Sequence, residues 1–176
     1  RSMLAIPGVW ITFIMRFSTS LGRMMIMPII PLFIQTLLVD LSRLNTLTGL
    51  VLGVASGATT ISAIFLGRLG DRVGYRKVLV ACTGLLGVIY ALQGFATAWW
   101  QLLLLQALVG VAMGGVIPLI SALLANYGRA GGEGSVFGMD NSINAAGRAA
   151  APMLGAAVAT AWGYPAAFLS TGTVFV

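Results

Sequence analysis

Four cations and one carboxylate fall within the eleven residues Gly67 to Lys77, GRLGDRVGYRK, in a chain of 176 residues of which only 8% are charged. Asp71 lies midway in this stretch. Facing Arg72, Arg76 and Lys77, its carboxylate can accept charge-assisted hydrogen bonds or approach the positive end of a helix. Such a cluster is incompatible with hydrocarbon, where a single Arg costs several kcal/mol on insertion scales. The spacing therefore predicts a short solvent-facing loop between two membrane spans. Gly67 and Gly74 stand where a tight reversal needs residues tolerant of left-handed dihedrals. On composition alone, a basic turn that only fixes orientation is an equal reading.

Two further sets of polar residues recur at helical spacing inside apolar stretches. Arg16, Ser20, Arg23 and Met27 share one helix face. Counting inward from Trp10 as an interface anchor places Arg23 about 20 Å deep, near the midplane. Asp140, Asn144 and Arg148 lie four apart on another face, with Asn141 beside them; about 12 Å separates Asp140 from Arg148, so a direct ion pair needs Asn144 or a water between them. Gln106 is the one strongly polar side chain of its segment. Arg16, Arg23, Gln106, Asp140, Asn141, Asn144 and Arg148 are thus the candidates for a substrate or proton pathway, because polar groups at depth are costly and usually mark one. Polar seams that hold helices together, or an ion pair of Arg23 with a segment elsewhere, are the competing structural readings.

With 59% hydrophobic residues and a mean hydropathy of +0.98, the chain reads as an integral membrane protein rather than a soluble domain. The net charge of +6 does not point to nucleic acid, because the cations gather at predicted membrane edges. Cys82 is alone and His is absent, which excludes an intramolecular disulfide and a two-Cys metal site. No cofactor or metal is expected, and no Ser beside a base offers an enzyme's nucleophile.

The chain divides into apolar segments at residues 9–38, 47–66, 78–96, 101–126, 136–161 and 165–176, expected to be six transmembrane helices, the last incomplete. The opening at Arg1 and the end at Val176 within an apolar run suggest a piece of a longer protein. Pro28 and Pro31 are expected to kink the first span and Pro118 to bend the fourth, while Pro152 interrupts the hydrogen-bond ladder of the fifth. Gly49, Gly53 and Gly57 fall four apart as a close-packing seam, as do Gly110 with Gly114, and Gly147 and Gly155 with Ala151. Asp40 and Arg43 form a short loop, Trp99 and Trp100 an aromatic belt, and Gly128 to Gly138 a polar connector that lacks the Gly-Lys-Ser/Thr of a phosphate cradle. Arg1, Arg68, Arg72, Arg76, Lys77 and Arg129 fall on one side and Arg43 alone on the other, which puts the Gly67 loop in the cytoplasm.

Gly67, Leu69, Asp71, Arg72, Gly74 and Arg76 resemble the G-x-L-x-D-R-x-G-x-[RK] signature of the major facilitator superfamily, found between the second and third helices of each six-helix half. Tyr75 stands where family members more often carry a basic residue. Gly147 to Ala156, GRAAAPMLGA, resembles the G-x-x-x-G-P-x-x-G-G pattern of drug-proton antiporters, with Ala151 and Ala156 replacing glycines. MPIIPLF in the first span and GYPAAFL near the end also look like bacterial drug-efflux relatives. Gln106 stands where the first half's fourth helix usually carries an Arg linked to proton coupling, and the Asp140 to Arg148 stripe suits the eleventh helix. The resemblance thus implies an all-α fold, the C-terminal six-helix half of a twelve-helix transporter, with the substrate cavity shared with an N-terminal half of the same chain.

On this resemblance the expected function is secondary active transport at the bacterial inner membrane, proton-coupled efflux of amphipathic small molecules or drugs by alternating access. Met24, Met25, Met27 and Met113 suit a promiscuous lining, although scattered Met is more often span filler. Uptake of a sugar or organic anion is the alternative within the family, since buried arginines can hold an anion. From another class, a non-transporting membrane scaffold remains open.

Overall fold

The computed structural model describes residues 8–38, 41–128 and 133–175. It is a bundle of α1 (Val9–Ile26), α2 (Ile29–Leu37), a 3-10 turn at Leu41–Arg43, α3 (Leu44–Val73), α4 (Tyr75–Gln93), α5 (Trp99–Gly128), α6 (Glu133–Trp162) and α7 (Tyr164–Val174). Asp40 and Arg129 lie outside the described residues.

The break between α1 and α2 falls at Met27 and Pro28. Pro28 lacks the amide hydrogen a continuing helix would need, and its ring collides with the carbonyl four residues back. Pro31 sits in the first turn of α2, where a missing N–H costs nothing. Pro118 and Pro152 lie inside helices of 30 residues each that continue past them, so each removes one hydrogen bond without dividing its helix.

The Gly67 stretch is not a loop. Helix α3 runs on to Val73 and α4 starts at Tyr75, leaving Gly74 alone between them. Gly74 carries the left-handed φ of 103°, and its N–H closes the helix on the Gly70 carbonyl at 2.9 Å. Gly67 is ordinary helix. The reversal therefore needs one permissive residue rather than two. Residues 133–138, expected in the polar connector, likewise belong to α6.

Helix α3 packs chiefly on α5, α1 on α6, and α4 on both α5 and α7. A continuous core of Phe13, Ile26, Leu86, Leu119, Ile120 and Phe168 runs between them. Ile61, Phe65, Phe95 and Met153 point outward, an apolar exterior that water would penalise and lipid would not. Among the described residues, Val9–Leu37, Leu41–Val73, Tyr75–Gln93 and Trp99–Asn126 are long and apolar enough to cross a membrane. Helix α6 has the length, but the residues between Asp140 and Arg148 lower its apolarity.

The small-residue seams divide into occupied and open ones. A Cβ on Gly110 or Gly114 would run into the α3 backbone and side chains at Ala55, Thr59 and Ser62. On Gly155 it would lie 2.6 Å from the Met25 carbonyl, and on Gly147 3.1 Å from Ser20 Cβ. Gly49, Gly53 and Gly57, expected to form a seam, would meet nothing within 4 Å among the described residues. The α3–α5 contact is instead made by the opposite face of α3, with the glycines supplied by α5.

Candidate functional site

Most hydroxyls in the bundle are silent. Thr12, Thr19, Thr59, Thr83 and Thr171 each donate to the carbonyl four residues earlier on their own helix, which satisfies them without a partner helix. Fewer polar side chains reach between helices: Ser62 on α3 donates at a long 3.5 Å to the Gly110 carbonyl on α5, Tyr75 bonds Asp71 across the α3–α4 corner, and the others form two groups.

The first group joins α1 to α6. Arg16 Nε lies 3.0 Å from Asp140 Oδ1, with side-chain exposures of 14% and 5%. The N–H does not point along the line to the oxygen, so the contact is an ion pair rather than an aligned hydrogen bond. One turn further along, Ser20 Oγ donates to Asn144 Oδ1. Gly147 then lets the α6 backbone reach Phe17, Ser20 and Leu21, and buried Ala151 and Gly155 continue the approach to Met25. Four-residue steps on both helices bring the two stripes into register, and the small residues set a spacing at which the short Ser and Asn side chains meet. Asp140 is thus partnered across the seam by Arg16, not through Asn144 by Arg148. Arg148 and Asn141 are exposed.

The second group surrounds a cavity of about 130 Å³ between α1, α3, α4 and α5. Arg23, Tyr90, Gln106, Met27 and Met113 line it. Gln106 is 4% exposed, and its Nε2 donates to Gln93 Oε1 at a long 3.5 Å. Gln93 is fully buried, and among the described residues its own Nε2 has no partner. A larger cavity of about 660 Å³ opens between α1, α4 and α7. Its walls are mainly apolar side chains and back-bonded threonines, with Arg76 as the charged group, so the smaller cavity holds the chemistry.

At the α3–α4 corner, Leu69, Asp71, Arg72, Arg76 and Lys77 are exposed. Tyr75 OH donates to Asp71 Oδ1 at 2.6 Å. Among the described residues the one ion pair is Arg16 with Asp140; Asp71 is held by the tyrosine rather than by Arg72, Arg76 or Lys77. Gly70 is buried, and a Cβ there would overlap Leu119 Cδ2 and lie 3.0 Å from Tyr75 Cδ1. The sequence does not single out Gly70 or Gln93, and Tyr75 stands out in it only as a departure from the family's pattern. Tyr75 stands four residues after Asp71, a separation at which helical side chains meet, and that spacing was the available signal.

Residues 12–176 match the Major Facilitator Superfamily, and the chain belongs to that family. It is 32% identical over 149 residues to multidrug resistance protein MdtG of Salmonella typhimurium, covering 85% of this chain and 37% of the relative. The protein of the same name from Enterobacter lignolyticus is 33% identical over 149 residues, covering 85% of this chain and 36% of the relative. The chain therefore spans little more than a third of these relatives' length. With its helical architecture and apolar exterior, it is a multi-pass membrane protein of the transporter fold.

Proposed function

We propose that this chain is the C-terminal six-helix half of a secondary carrier that exports amphipathic small molecules in exchange for protons by alternating access. The reading is a carrier in the bacterial cell membrane rather than an enzyme, with the segment at residues 67–77 in the cytoplasm and spans near residues 9–38, 47–66, 78–96, 101–126, 136–161 and 165–176. The observation that carries it is a polar constellation inside apolar helices: the Arg16–Asp140 pair at 3.0 Å, with Arg23 and Arg148 left exposed on the same two helices. Charges at such depth are expensive unless a partner segment, water or a ligand meets them. The relatives' name, multidrug resistance protein, supports drugs as the cargo. An N-terminal half of the same chain would supply the opposite wall of the cavity, which alternating access requires.

The test is transport by the full-length protein in liposomes carrying an imposed pH gradient, across a panel of amphipathic dyes, sugars and organic acids. Proton-driven efflux of several unrelated amphipaths is the expected result, and Arg148→Ala should lower it more than it lowers folded yield. Uptake of one sugar or acid alone, or no gradient dependence, would overturn the reading.

A further inference from the structure

Arg23 has no counter-charge within its own segment. The chain contains four acidic residues, and the structure describes the side chains of two. Asp140 is engaged by Arg16. Asp71 is bound by Tyr75 near the end of α3, while the cavity touches α3 between Leu52 and Thr59, roughly 18 Å earlier along that helix. Neither stands beside Arg23. The groups around the cavity are otherwise donor-rich: Gln106 and Tyr90 line it, and behind them Gln93 keeps a buried Nε2 without a partner. Five guanidinium N–H groups and a neighbouring amide, with no carboxylate among the described residues of the lining, form a surface that recognises acceptors.

We propose that this cavity is a subsite for the oxyanion of an amphipathic substrate, a carboxylate in the first instance, with Arg23 as the counter-charge and Gln106 as the neutral donor. This rests on the export reading for its transport role, not for its binding. The volume of about 130 Å³ is below the roughly 300–1,000 Å³ of sites that enclose a drug-sized ligand. It admits the head group and leaves the body outside. Met27, half-exposed in the wall, offers that body an adaptable apolar surface where it leaves the cavity.

Binding to the full-length protein in detergent is read by tryptophan-to-pyrene energy transfer with three probes sharing one body: pyrenebutyrate, its primary amide, and the butyl-trimethylammonium analogue. The unmodified protein should bind pyrenebutyrate at least tenfold more tightly than either other probe. Arg23→Gln should erase that preference while changing amide affinity less than twofold. Arg23→Lys, which keeps the charge, should retain a part of the preference and controls for folding. Gln106→Leu should weaken carboxylate and amide together. Preference for the ammonium probe, or equal loss of all three in Arg23→Gln, would overturn the subsite. Carboxylate binding that depends on Arg23, without gradient-driven movement in liposomes, would sustain the subsite and sink the export reading. Driven export of cations that is indifferent to Arg23 would do the reverse.

Discussion

Arg16 on α1 and Asp140 on α6 meet at 3.0 Å, nearly enclosed by the two helices that carry them. Removing one member leaves the other as an uncompensated charge in a low-dielectric seam, whereas removing both leaves only an apolar gap. Asp140→Leu alone should therefore lower stability by about 3 kcal/mol, and Arg16→Met alone by a similar amount, on the usual scale for broken buried pairs. The double variant should recover most of the loss. Thermal unfolding of the four proteins in detergent gives the double-mutant cycle. A double variant no more stable than the worse single one would show that the two charges are not coupled.

Gly70 and Gly67 sit one turn apart in α3 and should respond oppositely to Ala. A methyl on Gly70 enters space held by Leu119 and the Tyr75 ring, so Gly70→Ala should cost about 1–3 kcal/mol of overpacking. Leu119→Ala in the same protein should relieve part of that cost, since its Cδ2 is the obstructing atom. Gly67→Ala meets nothing within 4 Å and should be neutral or stabilise by up to about 1 kcal/mol through helix propensity. Equal sensitivity at both positions would remove the distinction between a packed glycine and an open one.

The helices, their order and their polar stripes were legible because apolar length and four-residue spacing are local properties. Which stripe faces which neighbour was not. Asp140 and Arg16 are 124 positions apart in the chain, and nothing in either stripe names its partner, so helical spacing set Asp140 only beside Arg148, at a distance too long for a direct pair. The glycines of α3 misled for the same reason: a row of small residues shows where a neighbour fits, not whether this segment provides one. At the corner, charge drew attention to Arg72, Arg76 and Lys77, yet the bond to Asp71 comes from Tyr75, whose hydroxyl adds no charge to count.

The occupied and open seams separate in a second measurement. Gly114→Ala should destabilise the bundle by about 1–3 kcal/mol, because its Cβ would collide with Ser62 and approach the Thr59 carbonyl to 2.5 Å. Gly57→Ala has open space before it and should leave unfolding of the helices unchanged or raise their stability by up to about 1 kcal/mol. Loss of stability in Gly57→Ala comparable to that in Gly114→Ala would mean that α3 packs through both faces.

Asp71 is exposed at the end of α3 and accepts a hydrogen bond from Tyr75 on the first turn of α4. One carboxylate oxygen is thereby fixed across the Gly74 corner, which orients the side chain without neutralising its charge. If that charge latches the cytoplasmic side to a helix N-terminus of the other half, the latch must break in every cycle. Asp71→Asn keeps the shape and an acceptor for Tyr75 but removes the charge. It should leave insertion and substrate binding intact, slow turnover several-fold, and shift the resting population toward the inward-open state. Tyr75→Phe keeps the charge and loses the orienting bond, so it should give a smaller defect of the same kind. Turnover in liposomes, together with the labelling rate of a cysteine placed on the cytoplasmic side of the cavity in a background lacking Cys82, reads both effects. Wild-type turnover and labelling in Asp71→Asn would reduce the corner to a determinant of topology.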